Sequence, residues 1–183
     1  DDSVYGISTG DSVFGDDGDD TFYYDSDDFN LISGGAGRDR LDISSQIEEN
    51  PVFNLADIQG EIETIEEVYL GFNEAQNTIK VTADSIKNFS SQITEDQDDD
   101  GDPDTAIYIL GDSDGTFRDI VTVSPDENWT YLRSDLAYDY YKSEDGETYF
   151  ITWKGMGVYE LSSDASISVS GDQSLRENLV NGE

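Results

Sequence analysis

Apolar residues in the second two-thirds of this chain come in short alternating runs rather than on a helical beat. "IEEVYL" (65–70), "TIKVT" (78–82), "AIYIL" (106–110) and "DIVTV" (119–123) are followed by "YDYYK" (138–142), "TYFITW" (148–153), "VYEL" (158–161) and "SISVS" (166–170). Each is rich in β-branched or aromatic residues and is bounded by Gly, Asp, Asn or Ser, the pattern of a strand. "SEDGE" at 143–147 reads as a hairpin turn. "TADSIKNF" is the exception, with Thr82 or Asp84 available to cap one or two helical turns. Eight short strands between turn residues predict an antiparallel β-sandwich over residues 44–170, followed by a tail at 171–183.

Residues 1–43 follow a different period. Asp-x-apolar units recur at Asp2, Asp11, Asp20, Asn30 and Asp39, separated by 9, 9, 10 and 9 residues, and glycines repeat with them. The unit "GGAGRDRLD" (34–42) meets every defined position of the nonapeptide G-G-x-G-x-D-x-U-x. "GDDGDDTFY" (15–23) departs only at Asp16, and "GISTGDSVF" (6–14) keeps Gly6, Asp11 and Val13. Each such unit makes one turn and one short strand of a parallel β-roll, with the eighth residue pointing inward. The predicted architecture is therefore all-β, with a short calcium-binding roll at 1–43 joined to the sandwich.

Charge changes the picture next. The chain has 43 acidic against 9 basic residues, a formal charge of -34, which opposes compaction unless something cancels it. Eight Phe, 11 Tyr and two Trp argue for a folded β-protein rather than a disordered one. Salt adaptation would scatter the acids, whereas here they are spaced. Glycines that aim turn carbonyls inward, with a carboxylate at the sixth position, make an oxygen cage suited to Ca²⁺. Asp11, Asp16, Asp20 and Asp39 are the candidate ligands, Asn30 a weaker one, and closure of the coil is expected to depend on calcium. The absence of Cys and His excludes disulfides, Cys/His zinc sites and catalysis by either residue. High negative charge argues against nucleic acid and against an anionic membrane, and no apolar run is long enough to span a bilayer.

A second acidic loop, "EDQDDDGDPDTAIYIL", places Asp96, Asp98, Asp100, Asp102 and Asp104 at alternate positions with Gly101 at the sharp turn. Ile107 stands where an EF-hand has its bidentate Glu, so the expectation is a DxDxDG-type calcium loop between strands. "GDSDG" (111–115) adds Asp112 and Asp114 as weaker candidates. By ligand count, about four to six ions are expected.

On these nonapeptides the chain resembles the RTX (repeats-in-toxin) family of secreted calcium-binding proteins. Residues 58–170 resemble a module of very large RTX adhesins, through "IQGEIETIEEVYLG", "NTIKVTADSIKNFS", "IYILGDSDGTFRDIVTV" and "WTY" at 129–131. The resemblance implies a secreted, extracellular module within a longer surface protein, monomeric and binding a cell-surface peptide or glycan with the help of calcium. Aromatics concentrate between residues 129 and 159, and Trp129, Tyr131, Tyr138 and Tyr140 are the candidate ligand contacts. Filling the core is the competing use of these rings. Two other readings stay open. One is a calcium-rigidified spacer without a ligand, and the other is calcium-triggered self-cleavage at Asp102-Pro103, which the resemblance to RTX proteins brings to mind. Catalysis is not expected, because no two carboxylates stand apart from the rest.

Overall fold

The structure, a computed structural model, describes residues 1–25, 29–45, 52–58, 61–72, 76–89, 104–113, 118–161 and 167–169. The first strands are very short: β1 (Ser3–Val4), β2 (Ser12–Phe14), β3 (Thr21–Tyr23), β4 (Leu31–Ser33) and β5 (Arg40–Asp42). They alternate between two sheets, β1-β3-β5 in one and β2-β4 in the other, all in parallel. Ser3 lies opposite Thr21 and Thr21 opposite Arg40, so a full coil takes two nonapeptides. The eighth-position residues Phe22, Ile32 and Leu41 are fully buried, while Val4 and Val13 pack partly buried against the same core.

The alternation continues past residue 43. β6 (Val52–Asn54) opens a third sheet after the second nonapeptide coil and leads into a short 3-10 turn at Leu55–Asp57. β7 (Glu61–Glu63) and β8 (Glu67–Tyr69) then add in parallel to β4 and β5. β9 (Thr78–Val81) joins β6, and the helix α1 (Ala83–Phe89) follows, burying Ile86 and Phe89. β10 (Thr105–Leu110) and β11 (Ile120–Val123) extend the first and third sheets. A meander of β12 (Thr130–Ser134), β13 (Tyr138–Lys142) and β14 (Thr148–Trp153) finishes the large sheet, and β15 (Gly157–Leu161) with β16 (Ile167–Val169) finishes the third.

All eight strands expected in the second part of the chain form, as does the helix, and the chain is mostly β-strand. Their pairing differs from the sandwich expectation. β8-β10-β14 and β6-β9-β11-β15 are parallel ladders, and only β12-β13-β14 and β15-β16 are antiparallel. Short strands between turn residues are common to sandwiches and to coiled parallel sheets. The two diverge in whether successive strands pair with each other or with the next coil. Here the connection from β8 to β10 carries β9 and α1, which is the long crossover that a parallel pair requires. The expected boundary at residue 43 falls inside continuous sheets, and one apolar core runs from Ile7 to Val158. Residues 171–183 lie outside the described residues.

Candidate metal centre

Three turns stack at one corner of the coil: 15–20, 34–39 and 63–66. The Ala36 N–H donates to the Asp16 carbonyl and the Gly18 N–H to the Ala36 carbonyl, both at 2.8 Å. The Gly34 N–H donates to Glu63 at 3.0 Å and the Gly35 N–H to Thr64 Oγ1 at 2.8 Å. Asp16, Gly35 and Thr64 all take positive φ, at 67°, 107° and 52°. This conformation suits Gly and is tolerated by Asp, but it is rare for a β-branched residue such as Thr64. Asp16 thus reproduces the backbone of the glycine it replaces, and its side chain is exposed. Its carbonyl, rather than its carboxylate, meets the next coil.

Inside this corner a line of carboxylates ties coil to coil. The Asp2 N–H donates to Asp20 Oδ1, the Asp20 N–H to Asp39 Oδ1 at 2.8 Å, and the Asp39 N–H to Glu66 Oε2 at 2.7 Å. Asp20 and Asp39 are buried, and one oxygen of each, Oδ2, has no hydrogen-bond partner. Burial, followed by repulsion from Asp20 and Asp19, holds the Asp39 carboxyl above its ordinary range. Burial, with Asp39 adding to it, does the same to Glu66.

The orphan oxygens face carbonyls. A Cβ built on Gly15 would lie closer than 3.0 Å to both the Gly34 carbonyl oxygen and Asp20 Oδ2. One built on Gly34 would lie equally close to the Thr64 carbonyl oxygen and Asp39 Oδ2. At each glycine one anionic and one neutral oxygen converge in a cradle where a side chain would otherwise stand, and the anionic one is left without a hydrogen-bond donor. Oxygen-only donors around a buried carboxylate suit a hard divalent cation such as Ca²⁺, whose ligands sit at about 2.3–2.6 Å. No cluster of three or more acidic side chains that could hold a metal occurs among the described residues. The cradles instead draw half of their oxygens from the backbone.

The other expected ligands divide. Asp11 lies at a different turn, where its carboxylate accepts the Ser8 N–H and hydroxyl at 2.9 Å, and these bonds lower its pKa. Asn30 donates its amide to the Gly10 carbonyl at 2.7 Å. Asp104 is buried at the start of β10, remote in sequence from the stacked turns. The Asp112 N–H donates to Asp119 Oδ2 at 2.8 Å. Asp96, Asp98, Asp100, Asp102 and Asp114 lie outside the described residues.

Two acids, half-buried Glu66 and buried Asp119, escape a reading of nonapeptides alone. Glu66 stands 27 residues after Asp39, three further nonapeptide periods, and fills the position of the next Asp. Asp119 is fully buried at the corner between β10 and β11. Its two oxygens accept the Asn77 and Asp112 N–H groups, each at 2.8 Å. Burial raises its pKa to about 6 against these bonds.

Among the expected ligand contacts, Trp129 and Tyr140 are buried. Trp129 packs against Phe150 with centroids 4.9 Å apart, and the Tyr140 hydroxyl donates to Asp135 at 2.7 Å. They serve as packing residues, because a coil this poor in aliphatic side chains needs rings to fill it. Tyr131 is 39% exposed on β12, and Tyr138 is half-buried beside Tyr108. No protein-family model, curated protein or solved structure matches the chain.

Proposed function

We propose that this chain is a calcium-ordered β-roll module of a secreted, RTX-type adhesion protein. The observation that carries the reading is the pair of buried, unpartnered oxygens of Asp20 and Asp39, each facing a backbone carbonyl of the next coil. Asp20 with Gly34, and Asp39 with Thr64, would hold the cations. A bound cation supplies the positive charge that lets stacked carboxylates of one sign approach in a chain of charge -34.

The residues supply the rest. Glycines 15 and 34 leave the cradles open, and the left-handed backbone at Asp16, Gly35 and Thr64 shapes the three stacked turns. The Asp20 and Asp39 oxygens that accept N–H groups fix the carboxylates, leaving the opposite oxygen of each to the ion. The role is binding and mechanical rather than catalytic. Outside the cell, where calcium is plentiful, the module would be ordered.

Calorimetric melting in calcium, in magnesium and in chelator at matched ionic strength tests this. Calcium is expected to raise the melting temperature well above the chelated value, and magnesium much less, since Mg²⁺ demands a stricter octahedral shell. Equal curves in all three would leave the acids as salt adaptation only.

A further inference from the structure

The large sheet has two faces, and the outer one stands apart from the main apolar core. Phe22, Leu41, Val68 and Ile109 share a register on the inner side. Across the alternate register, Arg40 meets Glu67 at 2.6 Å, and Arg38 meets the same carboxylate at 2.5 Å. Farther along, Ala106, Tyr140, Tyr149 and Ile151 form a separate cluster that is itself buried, so the accessible part of this face lies around Tyr5 and Phe72.

This face is also where rings and cations gather. Tyr5 stacks on Tyr23 with centroids 4.1 Å apart and planes 10° from parallel. Phe72 stacks on Trp153 at 5.2 Å and 15°, with Tyr69 edge-on to Phe72 at 5.7 Å. Tyr5 and Phe72 are 67% and 63% exposed. Four of the nine basic residues lie over tyrosines of this sheet: Arg38 over Tyr108 at 4.1 Å, Arg40 over Tyr69 at 5.1 Å, Arg133 over Tyr140 at 4.0 Å and Lys142 over Tyr149 at 5.7 Å. Nearby acids, Glu67, Asp42 and Asp135, nearly balance them. In a chain of charge -34 this is a patch of near neutrality.

We infer that this face binds a neutral polysaccharide laid across the strands. The charge distribution selects the class. A polyanion is repelled by the rest of the chain, and a cationic segment is repelled by the guanidiniums and drawn to the acidic turns. A neutral chain of pyranose rings meets neither barrier. Its flat C–H faces stack on tyrosine and phenylalanine rings, and its hydroxyls accept from guanidinium groups and donate to carboxylates. The two exposed ring stations, Tyr5 on Tyr23 of β3 and Phe72 between Tyr69 of β8 and Trp153 of β14, lie on strands two apart, roughly 10 Å, so an extended polymer can touch both at once. Exposed apolar area of this kind marks interaction sites on soluble proteins.

The inference rests on the adhesion part of the proposed function and is independent of the calcium part. Affinity electrophoresis in calcium separates the cases, with β-glucan, xylan, galactomannan and dextran as neutral polymers, alginate and hyaluronan as acidic ones, and a Lys-rich peptide as competitor. At least one neutral polymer is expected to retard the protein. Joint substitution Tyr5→Ala and Phe72→Ala, both exposed, is expected to weaken retardation at least tenfold in protein that remains folded at the assay temperature, whereas Leu136→Ala leaves it intact. Retardation by acidic polymers alone, competition by the peptide, insensitivity to the double substitution, or no retardation by any neutral polymer would overturn it. Calcium-insensitive melting would count against the metal reading and leave this one standing.

Discussion

Two corners of the coil use a buried Asp to bind neighbouring turns, and they finish the job differently. At the N-terminal corner Asp20 and Asp39 each spend one oxygen on an N–H of the adjacent coil and leave the other without a partner. At the later corner Asp119 spends both, one on Asn77 and one on Asp112. The difference follows from the turns. A nonapeptide turn directs carbonyls inward, so the second oxygen meets another acceptor. At the later corner the Asn77 and Asp112 N–H groups both donate to Asp119, so its two oxygens are saturated by the backbone. One corner therefore leaves two buried carboxylate oxygens for the proposed cation, and the other leaves none.

Breaking the saturated corner should cost most. Asp119→Ala strands the buried Asn77 N–H and the part-buried Asp112 N–H, and a loss of about 3 kcal/mol is expected. Denaturant melts should show that loss equally in calcium and in chelator. A calcium-dependent loss would place an ion at this corner too.

Asp39→Asn acts on the open corner in the opposite way. It keeps the acceptor for the Asp20 N–H but removes the charge, so chelated protein should melt no lower than the parent. In calcium at 100 times the dissociation constant, the variant should forgo about 2.7 kcal/mol of stabilisation for that site. Calcium titration by calorimetry, read beside the melts, should show one fewer tight site.

The smallest expected effect is in pH. Asp119 titrates at about 6 in the fold against about 4 when solvated, so the folded chain holds its proton more tightly. That stability is fully present below about pH 4 and is lost as pH rises through 6. Asp39 and Glu66 shift in the same direction. Asp145 works oppositely: burial is outweighed by bonds from Lys87, Ser143 and its own turn, and its contribution is lost only below about pH 4. In chelator, stability should fall between pH 4 and 6, and Asp119→Asn should flatten part of that slope.

Much of this could be read from the residues. The nine-residue beat located Phe22, Ile32 and Leu41 in the core and singled out Asp20 and Asp39, because turn chemistry and burial recur together in a repeat. Strand positions followed from β-branched and aromatic runs. Pairing did not, since parallel and antiparallel partners make the same local demands and only long-range contacts separate them. Asp11 was on the beat yet serves its own turn, because Ser8 offers it two donors nearby. Glu66 was hidden by its residue type and by a gap of three periods. Asp119 carries no local signature, since what defines it is two N–H groups brought from residues 77 and 112.

The contrast between the corners is tested most directly by amide hydrogen exchange, residue by residue, in calcium and in chelator. Protection at Gly18, Asp20, Ala36 and Asp39 should rise at least tenfold with calcium, while Asn77 and Asp112 should gain much less. Equal gains at both corners, or none at the first, would contradict the account.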